Sequence, residues 1–151
     1  MHARKAIRDA IAELMRGTAM AGSNVFPSRL FSLDESQLPS ISVFTTDESN
    51  AETVTKLTLS QPPLVQRDLP VIIEAHAVMD EHIDDVLDTL AVEIEKAMAQ
   101  QIVVGSKHIP ARLTSTQTTF SGDSDLQVGV VRLIYTAVYA TLENTPDQLY
   151  S

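Results

Sequence analysis

The densest gathering of side chains able to bind a metal or move a proton is His76, Asp80, Glu81, His82, Asp84 and Asp85. A helical zinc site needs ligands one turn apart, as in His-Glu-x-x-His, and that spacing does not occur here. The four carboxylates open an apolar-striped helix, where they meet the positive end of its dipole; that alone accounts for their presence. Gly122-Asp123-Ser124-Asp125-Leu126 has the outline of a hydrolase serine segment. It separates two extended runs, however, whereas a nucleophile elbow joins a strand to a helix. Asp and Gly between strands are turn residues. Gly105-Ser106-Lys107 lacks the upstream glycine of a phosphate-binding loop. The chain contains no cysteine, which removes thiolate ligands and cysteine nucleophiles together. These residues predict no catalytic centre, no metal and no cofactor.

Charge gives the next constraint. Net charge is −9. Residues 1–32 hold five basic and two acidic side chains, whereas residues 33–151 hold six and eighteen, so the basic character is confined to the start. A largely acidic surface repels phosphate backbones and argues against sequence-reading nucleic-acid binding. Arg4 and Arg8 lie one helical turn apart and, with Lys5, form a small basic edge able to meet the acidic side of a neighbouring subunit. No apolar run approaches the roughly 20 residues of a membrane helix. The first residues are polar and charged, unlike a signal peptide, which predicts a protein that stays in the cytoplasm where it is made.

The elements behind these residues follow from periodicity. Ala3, Ile7, Ala10, Ile11 and Leu14 share one face of a first helix, with a stop expected at Gly17 and a connection through Asn24. Two extended segments follow, Val25 to Leu33 and Ser40 to Thr46, the first demoted to an edge by Pro27. Asp47 to Pro63 reads as a long polar loop anchored only by Val54, Leu57 and Leu59, and loops of that length are commonly contact elements. Leu69 to Met79 is the strongest strand; Val71, Ile73, Ala75 and Ala77 alternate with Ile72, Glu74, His76 and Val78. Ile83, Val86, Leu87, Leu90, Ala91, Ile94, Ala97 and Met98 make a second amphipathic helix.

After a connection through Gly105 and Pro110, Arg112 to Phe120 is a polar strand. It alternates Thr114, Thr116 and Thr118 with Leu113, Ser115, Gln117 and Thr119. Leu126 to Leu142 is a long extended run in which Gly129 marks a bulge or a close backbone approach. Grouped strands separated by helices predict one α+β domain over 1–142, a mostly antiparallel sheet covered by two helices, with 143–151 as a flexible tail.

Taken in order, these pieces resemble the tail terminator proteins of long-tailed bacteriophages, the group that includes the minor tail protein U of phage lambda. The resemblance rests on the helix from His2 to Arg16, on Val25-Phe26-Pro27, and on Leu38-Pro39-Ser40-Ile41-Ser42-Val43-Phe44. It continues through the polar loop with Asp47 and Glu48, the acidic helix start Ile83-Asp84-Asp85, and the closing pair Thr116 to Phe120 and Val130 to Tyr139. It implies a structural virion protein and no enzyme: a ring, usually a hexamer, that caps the tail tube, stops its polymerisation and presents a surface to head-completion or connector proteins.

Such a ring works without a cofactor, at the head-proximal end of the virion tail, and DNA passes through its lumen. The contact residues read from this sequence are Arg4, Arg8, Val54, Leu57, Leu59, Thr114, Thr116 and Thr118. Another neck or tail-completion component, or a monomeric protein-binding adaptor, are the alternative readings.

Overall fold

The computed structural model describes residues 1–22, 24–28, 37–50, 62–121 and 127–150. In chain order its elements are α1 (Ala3–Met15), β1 (Val25–Phe26), β2 (Ser40–Thr45), β3 (Ser49–Asn50), β4 (Leu64–Val78), α2 (Ile83–Met98), β5 (Ile102–Val104), β6 (Lys107–Ile109), β7 (Ala111–Ser121) and β8 (Val128–Leu142). One sheet runs β1-β2-β4-β8-β7, with β3 joined to β4 beyond the end of β2, while β5 and β6 form a separate hairpin. The β1–β2 pair is parallel and the other pairs of the sheet are antiparallel. This is the α+β architecture that the periodicity predicts, with both helices on one face.

The core follows from two periods meeting. Ile7, Ile11 and Met15 of α1 and Leu87, Leu90 and Ile94 of α2 point at the sheet. There Val71, Ile73 and Ala75 of β4 stand beside Tyr135, Leu133 and Val131 of β8. Fully burying such a side chain stabilises the fold by about 1.5–3 kcal/mol. On the opposite face Phe44, Ile72 and Val130 are also buried. Glu74 takes two hydrogen bonds from Arg132 there, at 2.9 and 2.7 Å.

α1 begins at His2, whose Nδ1 accepts the Arg4 N–H at 3.2 Å. It ends where the Thr18 hydroxyl donates to the Met15 carbonyl at 2.7 Å. Gly17 marks the end, but not through a left-handed backbone, since positive φ among the glycines belongs to Gly22 and Gly105. At the start of α2 only Asp84 and Asp85 occupy the first turn; Asp80 lies outside it and accepts the His82 N–H at 2.8 Å.

Several boundaries depart from the sequence reading. β1 is only Val25–Phe26, as Pro27 would impose, and residues 29–33 of the expected segment lie outside the described ones. The strongest strand starts at Leu64, not Leu69, because its charged first part pairs with the far end of β8 from Leu64↔Leu142 onward. The segment expected as a loop from Asp47 to Pro63 contains β3, while residues 51–61 of it lie outside the described ones.

From Thr45↔Val71 to Ser49↔Asp68 the β2–β3 edge advances by one residue more than β4, the signature of a bulge. Pro70 sits opposite this break and accepts the Thr46 N–H at 3.2 Å. The side on which it lacks an N–H therefore faces the irregular edge, where a ladder bond is already lost.

The expected connection through Gly105 is a β5–β6 hairpin, turned at Gly105 with φ 62°. Its Ile102 and Ile109 are buried in the core. Gly129 lies in unbroken register with both neighbours, so it is not a bulge. It is a close approach: a Cβ there would come within 2.7 Å of Ile83 at the start of α2. Residues 143–150, expected as a flexible tail, carry backbone hydrogen bonds to the body: Glu143 N–H to Pro63 O at 2.9 Å and Tyr150 N–H to Ala140 O at 2.9 Å. The Ala3 N–H in turn donates to Pro146 O at 3.0 Å.

Candidate assembly surface

β7 is the outer strand of the sheet on the β8 side, and its free edge meets no other strand among the described residues. Its residues from Arg112 to Phe120 are exposed except the half-buried Ser115. Natural edges are usually blunted by charge, proline or a cover, because unpaired N–H and C=O groups template further pairing. Here Arg112 is the only charge, and Leu113 and Phe120 are 37% and 54% exposed.

The alternation inferred for β7 is broken once. A register shift between Leu113 and Ser115 makes Thr114 the extra residue, and its hydroxyl donates to Ile134 O at 3.0 Å. Thr116 and Thr118, opposite Leu133 and Val131, then share the helix side with Leu113, opposite Tyr135. Thr114 therefore does not belong to one uninterrupted threonine row. Uniform alternation from the sequence could not reveal this, because threonine occurs on both sides of the shift.

At the other end of β8 lies a polar network that the sequence did not expose. Glu48, with a side chain only 6% exposed, receives Arg67 Nη1 at 3.0 Å and the Tyr139 hydroxyl. Arg67 Nε also donates to Thr141 Oγ1 at 3.1 Å. Arg4 Nη1 stands 3.9 Å from the same carboxylate, so this arginine is turned toward its own sheet. Burial, and then the hydrogen bond to Glu48, raise the Tyr139 pKa above its ordinary value. Burial, followed by Arg4 and Arg67, lowers that of His2.

The network joins the start of α1 to β4 and β8, which fits a packing role. Its signal in the sequence was Glu48 and Arg67, charges flanking an apolar strand, but their partnership needed the β3–β4 register.

The remaining sequence candidates are dispersed. Arg8 is half-buried, and its Nε is buried without a hydrogen-bond partner among the described residues. Val54, Leu57 and Leu59, like the Gly122 to Leu126 segment, lie outside the described residues. His76 faces Ser40 across the β2–β4 ladder, and burial lowers its pKa. His82 and Glu81 are exposed and 3.3 Å apart. No group of three or more His, Cys, Asp or Glu able to hold a metal ion occurs among the described residues. A pocket of about 400 Å³ between the end of α2 and the β5–β6 hairpin is lined by Gln100, Gln101 and His108 beside apolar groups. Among the described residues it brings no acid/base pair together.

Among solved structures, the chain is similar to one described as "Virion of native gene transfer agent (GTA) particle". The TM-score is 0.58 and the identity 14%, over 89% of this chain and 94% of that chain. At this identity the likeness is one of fold, and it spans nearly the whole of both chains. No protein-family model matches the sequence. No curated protein matches it either.

Proposed function

We propose that this chain is a structural component of a phage-like particle. It acts as a tail terminator: a closed ring, read here as a hexamer, that caps the tail tube and offers a surface to head-completion or connector proteins. The observation that carries this reading is the fold shared with a gene transfer agent virion chain over 89% of the present one. The long uncovered edge of β7 supports it, since a ring needs surfaces that a single subunit leaves unpaired.

The net charge of −9 suits a lumen through which DNA passes without adhering. The role is non-enzymatic and needs no cofactor, and the site of action is the head-proximal end of the virion tail. Thr114, Thr116 and Thr118, with Arg4, Arg8, Val54, Leu57 and Leu59, remain the proposed contact residues.

Light scattering of the purified protein across a concentration series, with electron microscopy of tail tubes mixed with it, tests the proposal. Closed rings of one size that bind tube ends are the expected result. A protein that stays monomeric at high concentration and leaves tube ends bare would overturn it.

A further inference from the structure

We propose that the trough between α2 and β7 is the acceptor half of a head-to-tail contact with a second copy of this chain, whose donor half is the basic flank of α1. The inference rests on the ring reading above and names the two sides that meet. α2 turns one flank toward α1: Glu93 accepts the Met20 N–H at 3.3 Å, and Glu93, Lys96 and Gln100 share a pocket with Leu14 and Gly17. The opposite flank of the helix, at offsets of 4 and 11 residues, carries Asp84, Asp88 and Glu95, all exposed. α2 packs over β4 and β8, so this flank lies on the β7 side of the sheet, where Tyr135 of β8 stands beside Leu113 of β7.

Across the trough, the helix side of β7 presents Leu113, Thr116, Thr118 and Phe120, all exposed. One wall is therefore acidic, and the other is neutral and partly apolar.

α1 has the reverse arrangement. Leu14 faces α2, and the flank turned away from α2 carries Lys5, Arg8 and Arg16. α1 packs over β1 and β2, so this flank lies at the end of the sheet opposite β7. Among the described residues Lys5 and Arg16 are held only by exposed pairs with Asp9 and Glu13, at 2.6 and 2.7 Å, which are worth little in water. Arg8 Nε is buried and has no partner among the described residues.

Acidic and basic flanks at opposite ends of one sheet are complementary between successive copies. A two-fold contact through the trough would instead set acid against acid. Successive head-to-tail contacts close into a ring where the rotation permits.

The test compares wild type, Asp88→Lys with Glu95→Lys, Lys5→Glu with Arg8→Glu, and all four changes combined, by light scattering across a concentration series at low salt and at 0.15 M. Circular dichroism establishes that each is folded. Because Arg8 is half-buried, Lys5→Glu with Arg16→Glu serves as a second basic-side variant. Each reversal should weaken assembly by about tenfold or more, and the combination should recover most of it. Wild-type rings with reversals that assemble equally well would overturn this contact and leave the ring standing. Reversals that weaken assembly without recovery in the combination would overturn the pairing with α1. A wild type that never assembles would overturn the ring reading and this inference with it.

Discussion

β7 and β8 are hydrogen-bonded neighbours from Ala111↔Ala137 to Ser121↔Val128, yet they occupy different environments. β8 lies between β4 and β7 and beneath α2; it buries Val131, Leu133, Tyr135, Ala137 and Tyr139. β7 lies beyond the helices, and no β7 residue with a described side chain is buried. The difference arises from the layer above each strand and from its place in the sheet, since β8 is hydrogen-bonded on both sides and β7 on one. Threonine suits the outer position because a β-branched side chain favours extended backbone without needing a core. Stability should therefore reside in β8, and contact with other chains in β7.

The largest test of that division is Leu133→Ala. Leu133 is fully buried, and its truncation should cost about 2–5 kcal/mol in urea unfolding. A loss below about 1 kcal/mol would mean that the helix layer packs more loosely on β8 than the structure shows. Glu48→Gln follows at the far end of β8, where the Arg67 guanidinium would lose its anion. Breaking a buried pair of this kind should cost about 3 kcal/mol, and denaturant midpoints of the variant against wild type would measure it.

Alkaline unfolding sharpens the comparison further. Burial, and then Glu95, push the Tyr135 pKa from 10.0 up to about 12, while that of Tyr139 is also raised. The folded state keeps the Tyr135 hydroxyl protonated where the unfolded chain ionises, so its stabilisation is complete below about pH 10 and is lost as pH climbs toward 12. Unfolding midpoints followed across that range should fall in wild type and fall less in Tyr135→Phe. The smallest effect belongs to Thr118→Ala on β7, whose subunit stability should stay within about 0.5 kcal/mol of wild type. A larger loss would show that β7 contributes to the fold itself.

The two helices, the central strands and the uncovered polar strand were legible because their burial recurs at 3.6 or 2 residues. The β5–β6 hairpin was missed although Gly105-Ser106 between two short β-rich runs is a hairpin signal; each run is only three residues long. Gly129 was legible as an exception, but one glycine is compatible with a bulge or a close approach until the neighbour is known. Ile83 decides for the approach.

By itself the sequence determined which faces are apolar, where acid and base concentrate along the chain, and that β7 has little to bury. These are local properties, set by side-chain type and spacing. The tertiary structure alone decided that Glu48 lies between Arg67 and Tyr139, that Thr114 is the extra residue of a bulge, and that the acidic and basic flanks stand at opposite ends of the sheet. Each depends on register and strand order between residues far apart in the chain, and a one-residue slip in pairing would turn every side chain of a strand to its other face.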